Sequence, residues 1–586
     1  MKTLHNTLVR VLVISIIISG IYACKDKEMF DASDKREYIS AANSVNAYSG
    51  YKRLQLKFNV SNTAAVRAKI YWNNRSNFIE IPIHVASAND TVSTIIGPLE
   101  EGTYSFEVIT YDNKANTSVP IKITATALGP NYAHTLANRP IKDIFYENGN
   151  ATIYWGSAGA ELFNEVIYTD NNNVQRRVKA AQGKDTSKLL NVKPGELATA
   201  LQYRTAYIPA TAIDTFYADT RSEAITTGSL KDLAKAKNVL FGSLISYGNG
   251  ITHGVVNDGS PNGIYKQICD NEFNFGQASW GGTRWKRDGG SDFNDVNAVI
   301  NWSKAHYNKV FAQLIVGPNG YMPDWFKNGT FTPAEMDGLL KGLVKEFMET
   351  NDNKSKVDVW GVANEVFSND GTYVNMKWND MGWEDDASGL TGTDKINLKH
   401  PVFIGKAFMY SRQMTQALLE LRDHDFEYNT SASAYYTKHK AYYQLLRHLK
   451  AKGYPVDVVG IQAHYNLGSG IGGGYELFKK TIEKFKATNV QVHLTELDII
   501  APKINNALQP WTLALADQQK TDYYNAVKAA VEAGVSLISL WGVRDNNDPG
   551  WRFGQYPLLY DESYNRKPAY YGVQKALFDA KKYSAN

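Results

Sequence analysis

From about residue 237 onward, short apolar runs of strand character alternate with longer stretches of helical periodicity. There are eight such runs: VLFG at 239, NEFNFG at 271, KVFAQLIVG at 309, VDVWGVAN at 357, FEYN at 426, VDVVGIQAH at 456, VQVHLTEL at 490 and SLISLWGV at 536. Strands alternating with helices predict parallel βαβ units. The intervening stretch PAEMDGLLKGLVKEFMET predicts a helix with Pro333 in its first turn, and KAYYQLLRHLKAKG predicts one that stops at basic residues and Gly453. Eight such units predict a (β/α)8 TIM barrel over residues 239–582, whose functional groups belong at the C-terminal ends of the strands.

The pattern before residue 228 is of another kind. YKRLQLKFNV, AKIYWNN, FIEIPIHV, GTYSFEVITYD and SVPIKITATAL alternate apolar and polar positions between Asn, Asp and Gly turns, which predicts an antiparallel sandwich over 36–138. ATIYWGS, LFNEVIYTD, VQRRVKAA and LQYRTAYIP repeat the style over 139–228, and IYW recurs in both halves. Two fibronectin type III-like modules in tandem are expected, joined to the barrel by a linker at 229–238 that includes a short helix. Trp72 and Trp155 lie within these strands, where a core role is at least as good an account as sugar stacking. The modules are expected to act as a spacer.

Two glutamates follow or end apolar runs, Glu365 in VDVWGVANEVFSNDG and Glu496 in VQVHLTELDI. Neither has a cationic partner at helical spacing. Runs four and seven stand on opposite sides of a barrel mouth, so the two carboxylates can face one cleft. A carboxylate pair is what cleavage of a glycosidic bond requires, one to protonate the leaving oxygen and one to attack or to activate water.

These segments resemble glycoside hydrolase family 10, the endo-β-1,4-xylanases. VWGVANEV is similar to the acid/base pattern W-D-V-V-N-E, and VHLTELDI to the nucleophile pattern I-T-E-L-D. GIQAH resembles G-x-Q-x-H, LWGVRDNNDPGW resembles W-G-x-x-D-x-x-S-W, and MPDWF and PLLYDESYNRKPAYYGV match two further segments in family order. The resemblance implies Glu365 as acid/base and Glu496 as nucleophile of a retaining enzyme. It implies Asn364 on the sugar 2-hydroxyl, Gln462 and His464 on the nucleophile, and Trp541 as a wall beside the scissile bond. Arg284, Trp285, Asn319 and Tyr428 are the remaining expected substrate contacts.

Departures from the pattern bear on specificity. Where the family reads E-N-x-M-K-W this chain has ASWGGTRWKR, which puts Gly281 at the Asn position and Arg284 at the Lys position. Pro318, Asn319, Gly320 and Tyr321 replace W-H-S-Q, and Gly361 replaces the Asp of the acid/base motif. A rebuilt sugar site around Arg284, Asn319, Trp280 and Tyr321 is expected, for xylan or a decorated xylan-like polymer. The alternative is a surface glycan-binding protein on the same barrel, without turnover.

The chain begins with a basic segment, the apolar VLVISIII and Ala23 before Cys24, which reads as a secretory signal over 1–23 with a lipoprotein box. Its apolar run is shorter than the about 20 residues of a spanning helix. KDKE at 25, within a tether at 24–35, resembles the export signals of Bacteroidetes surface lipoproteins. Cys24 is thus the expected lipidation site, and the outer-membrane surface the expected location. With Cys24 lipidated, Cys269 is left alone and no intrachain disulfide is available. No CxxC, HExxH or EF-hand pattern occurs, so neither a catalytic metal nor a cofactor is expected. A net charge of +4 on 586 residues argues against a nucleic-acid partner. The partners expected are a β-linked polysaccharide and, through the lipid, the membrane, with the chain a monomer.

Overall fold

The computed structural model of the chain describes residues 37–61, 63–84, 90–248, 253–280, 282–546 and 552–584. Cys24, the signal and tether segments, and Gly281 lie outside the described residues.

The C-terminal region is a closed parallel barrel. Its strands are β1 (Leu240–Leu244), β2 (Phe275–Ser279), β3 (Val310–Val316), β4 (Val359–Asn364), β5 (Leu418–Asp423), β6 (Val458–Ile461), β7 (Gln491–Ile500) and β8 (Leu537–Leu540). Each pairs with its chain neighbours, β8 closes on β1, and the short strand His464–Asn466 extends the pairing of β7 beyond β6. Every residue of β3 and β4 is buried, as a strand covered by helices outside and side chains inside must be.

The fifth strand differs from its expected position. FEYN at 426 falls in the loop after β5, and the strand is LLELRD, whose last five residues are all buried. Three of those are charged, so the run does not look like a buried strand. The charged groups are partnered: Glu420 and Arg422 pair with each other, His493 Nδ1 lies 2.9 Å from Glu420 Oε2, and Asp423 pairs with Lys438 at 2.8 Å.

Helix α1 (Leu230–Ala236) leads into the barrel, with the Ser229 side chain accepting from Asp232 N as its cap. Pro333 starts α2 (Pro333–Glu349) behind a reciprocal Thr332–Glu335 capping box. The predicted helix at 440 is α3 (Tyr436–Ala451), followed by Gly453 at φ 75°. Helices α4 (Leu513–Ala533) and α5 (Pro568–Asp579) pack on each other, with α4 against β7. Cys269 is buried in the barrel core, and burial pushes its thiol pKa well up. Among the described residues no helix is long and apolar enough to cross a membrane.

Before the barrel come two β-sandwiches. In the first, a sheet of Asn43–Gly50, Arg53–Val60 and Asp90–Ile96 faces a four-stranded sheet over a core that includes Leu54, Leu56, Phe58, Ile70 and Phe106. In the second, three strands face five over Ile153, Trp155, Val166 and Leu201. Trp155 is 4% exposed and donates from Nε1 to Ser187, so its role is packing. Trp72 is half-buried against Phe106 in the first core.

The sandwiches are docked rather than strung out. Arg53 meets Asp214 across the first joint. At the second, Phe145 stacks on Tyr571 of α5 at 3.9 Å and 6°, and Lys520 of α4 pairs with Asp143 at 2.7 Å. These contacts lie on helices, away from the loops that follow the strands. Phe145→Ala is expected to lower stability by about 2 kcal/mol through lost apolar area and ring stacking. A urea titration followed by tryptophan fluorescence checks it; an unchanged midpoint would mean the joint contributes nothing.

Candidate active site

Glu365 is the first residue after β4. It takes a left-handed backbone conformation, φ 52°, unusual for a residue with a Cβ, and its amide donates to Arg422 O at 3.1 Å. The turn swings the carboxylate to the barrel mouth, where it is half-buried. Its Oε1 accepts from Asn364 Nδ2 at 3.0 Å and from Gln462 Nε2 at 2.9 Å. Gln462 Nε2 also lies 3.1 Å from Asn364 Oδ1, so the three side chains form one polar cluster.

Glu496 projects from within β7 and is 4% exposed. Its Oε1 accepts from Arg422 Nη1 at 2.8 Å, and its Oε2 lies 3.2 Å from His464 Nε2. The other ring nitrogen of His464 is 2.9 Å from Asp498 Oδ1, so both nitrogens face carboxylates and the ring is held as an imidazolium. Burial opposes that charge, but Asp498 and Glu496 outweigh it and raise the His464 pKa to about 9.

The two carboxylates share supports. Gln462 donates its side chain to Glu365 and accepts the Glu496 amide on its carbonyl at 3.0 Å, while Arg422 accepts the Glu365 amide and donates its side chain to Glu496. Gln462 therefore touches the acid/base candidate with its side chain, a correction to its expected place on the nucleophile; His464 is on Glu496 as expected. Tyr321, 39% exposed, stands close to both: burial first, then the negative charges of Glu365 and Glu496, pushes its hydroxyl pKa up to about 12. The Trp541 ring meets His464 edge-on at 6.2 Å.

Several expected sugar contacts are placed otherwise. Trp285 is 4% exposed and packs among Trp325, Phe326 and Trp378, and Trp280, 1% exposed, packs on Phe293 and Phe347. Both tryptophans are core, a correction to their expected place in the sugar site. Asn319 spends its amide on the backbone of Asn375 and Lys377, which braces the loop after β4. Arg284 is held by Asp295 at 3.2 Å. Tyr428, in the loop after β5, lies half-buried beside Tyr435 at 5.3 Å between rings. In the segment after Glu365, Trp378 is fully buried whereas Trp383 is 44% exposed.

One side chain of the site had no signal in the sequence. Arg422 belongs to a strand whose charges disguised it, and its contact with Glu496 spans 74 positions. Away from the carboxylates, Asp386, His400 and His448 are the one trio of metal-ligand type among the described residues. His448 Nδ1 accepts from Ala387 N, so Nε2 carries the proton it offers Glu384, and Asp386 is taken by His400 and Lys395. The trio braces the 367–400 segment against α3. Burial outweighs the carboxylate beside it, which pulls the other way, and lowers the His400 pKa to about 4, which keeps it neutral in this brace.

The model for "Glycosyl hydrolase family 10" matches residues 229–576, more than half of the chain and all eight barrel strands with both glutamates. The chain belongs to glycosyl hydrolase family 10. A second model, described only as a domain of unknown function, matches residues 25–216, which takes in most of both sandwiches. The chain is 28% identical over 301 residues to endo-1,4-beta-xylanase A of Thermoanaerobacterium saccharolyticum, covering 49% of this chain and 23% of that protein. It is 29% identical over 365 residues to endo-1,4-beta-xylanase A of Phanerodontia chrysosporium, covering 59% and 77%. The chain spans about a quarter of the length of the first curated relatives it matches. Among solved structures, a Cellvibrio japonicus xylanase 10C variant in complex with xylopentaose aligns at TM-score 0.51 and 18% identity, over 76% of this chain and 96% of that one. At that identity it speaks for the fold alone.

Proposed function

We propose that this family-10 barrel is a retaining endo-β-1,4-glycanase that hydrolyses xylan or a decorated xylan-like polysaccharide. The observation that supports it most is the unlike seating of two carboxylates braced by the same two residues, Gln462 and Arg422. Glu365 is held by neutral amides and reaches solvent, which suits a group that gives and takes a proton. Glu496 is sunk and held by a guanidinium and an imidazolium, which fixes its carboxylate in place for attack. In the first displacement Glu496 bonds the anomeric carbon and Glu365 protonates the departing oxygen. Water, deprotonated by Glu365, then releases the sugar with its configuration retained. The relatives named as endo-1,4-beta-xylanases support xylan as the backbone.

Tyr321 beside the two carboxylates stands where the family pattern has other residues, which favours a decorated xylan over the plain polymer. The proposal extends to place and partners: an outer-membrane surface protein, lipidated at Cys24, monomeric, with the two sandwiches as spacer. A tethered enzyme on a polymer gains effective concentration from such reach.

Release of reducing ends from plain and decorated xylans, mixed-linkage glucan and mannan tests the activity. Xylan or one decorated xylan is expected to be cut, and proton NMR of the first product formed is expected to show the β-anomer. Binding to a polymer with no release from any would overturn the enzyme reading in favour of a glycan-binding protein. The α-anomer would overturn the double displacement.

A further inference from the structure

Arg422 is 1% exposed and is fastened on all sides. Its Nε and Nη2 donate to Glu420 Oε1 at 2.9 and 2.7 Å, and Glu420 Oε2 is held by His493 Nδ1 at 2.9 Å. The guanidinium lies 4.7 Å from the centroid of the Phe311 ring. Only Nη1 reaches toward the site, and it meets Glu496 Oε1 at 2.8 Å. A planar fork seated in this way presents one fixed N–H to the carboxylate and does not follow the substrate. Gly361 lies beside it: a Cβ there would stand in ordinary contact with Arg422 Nη2 at 3.7 Å and tightly against Gln313 Cβ at 3.0 Å, so an Asp in this place, as in the family pattern, would bring a second carboxylate next to the guanidinium.

We infer that Arg422 is a positioning residue for the second displacement, holding the Glu496 carboxylate as it leaves the sugar. The inference rests on the reading of Glu496 as nucleophile. In the first displacement Glu496 gives an electron pair to the anomeric carbon, the bond from that carbon to the leaving oxygen breaks, and Glu365 supplies that oxygen's proton. As an ester Glu496 has no charge, and the attraction of Arg422 for it is then weakest. In the second displacement Glu365 takes a proton from water and the water oxygen bonds the anomeric carbon. The electron pair of the ester bond returns to Glu496. Charge grows back beside a donor already in place, the arrangement that lowers a barrier most. The same donor stabilises the free carboxylate before attack, so Arg422 favours the second step at some expense to the first.

The test uses the full chain and dinitrophenyl β-xylobioside, whose leaving group needs no proton. Arg422→Met is expected to lower kcat by about 100-fold, the scale of losing one such donor. KM is expected to fall with it while kcat/KM, which reports the first step, holds or rises. Intact-mass spectrometry at steady state is expected to show protein heavier by one xylobiosyl group. Arg422→Lys, which keeps the buried charge, is expected to fall between wild type and Arg422→Met, and it serves as the variant measured if Met is not tolerated. A fall in kcat/KM with no adduct in the variants would mark a structural role and overturn the inference while leaving Glu496 the nucleophile. A wild-type chain inert on this substrate would overturn the xylan reading and the inference together.

Discussion

Glu496→Gln is expected to bring release of reducing ends from xylan down to background, while binding of the polymer persists. The amide is nearly isosteric and still accepts from Arg422 at the oxygen now 2.8 Å from Nη1, so the barrel keeps its shape. It has no electron pair of carboxylate quality to give, and no glycosyl-enzyme forms. Glu365→Gln is expected to differ in kind. Loss of general acid and base help costs about 10²–10⁴-fold on a polymer, whose leaving alcohol needs a proton. An aryl glycoside with an acidic phenol needs none in the first step, so there Glu365→Gln is expected to show a burst of phenol followed by slow turnover. Parallel assays on polymer and aryl glycoside separate the two roles. Equal loss in both variants on both substrates would contradict the assignment of Glu365 as acid/base.

The second large effect is on stability and follows from His464. Its folded pKa of about 9 lies above the ordinary value of 6.5, because Asp498 and Glu496 outweigh the burial that opposes its charge. A group raised in this way stabilises the fold fully below 6.5, progressively less as pH rises, and not at all once pH has passed through 9. That gap corresponds to about 3 kcal/mol. The difference in unfolding free energy between wild type and His464→Gln is therefore expected to be largest near pH 6 and to shrink by about that amount by pH 10. Urea unfolding of both proteins at a series of pH values measures it. Parallel stability curves would mean that the imidazolium is not held by its two carboxylates.

How much of this was legible beforehand depended on the range of the interactions. Most β-strands of the barrel show as predominantly apolar runs because both faces of a parallel sheet are covered, and a local window suffices to see them. The exception is instructive. β5 carries Glu420, Arg422 and Asp423, all buried, and beyond the Glu420–Arg422 pair their partners His493, Lys438 and Glu496 come from elsewhere in the chain. A local window therefore read the strand as surface and shifted it to FEYN, and Arg422 was lost with it. Gln462 meets Glu496 as expected but through its backbone, and its side chain goes to the other carboxylate, for a related reason. Residues at 462 and 496 are joined by backbone, whereas the side chain at 462 turns to 365, and which way a side chain turns depends on the residue packed beside it.

Trp280 and Trp285 teach the complementary lesson. Each stands near glycines in a segment that departs from the family pattern, where an aromatic reads equally well as a sugar platform or as core. Packing on Phe293 and Phe347 in one case, and on Trp325, Phe326 and Trp378 in the other, settled both as core.

By itself the sequence determined the class of the barrel, the order of its units, the two sandwiches before it and the two glutamates, because apolar periodicity and short motifs act over a few residues. The tertiary structure alone decided which charges are buried and paired, which tryptophans are core and which donor faces which carboxylate. Those depend on Coulomb and packing contacts between segments tens to hundreds of positions apart, whose energies no local stretch of chain contains.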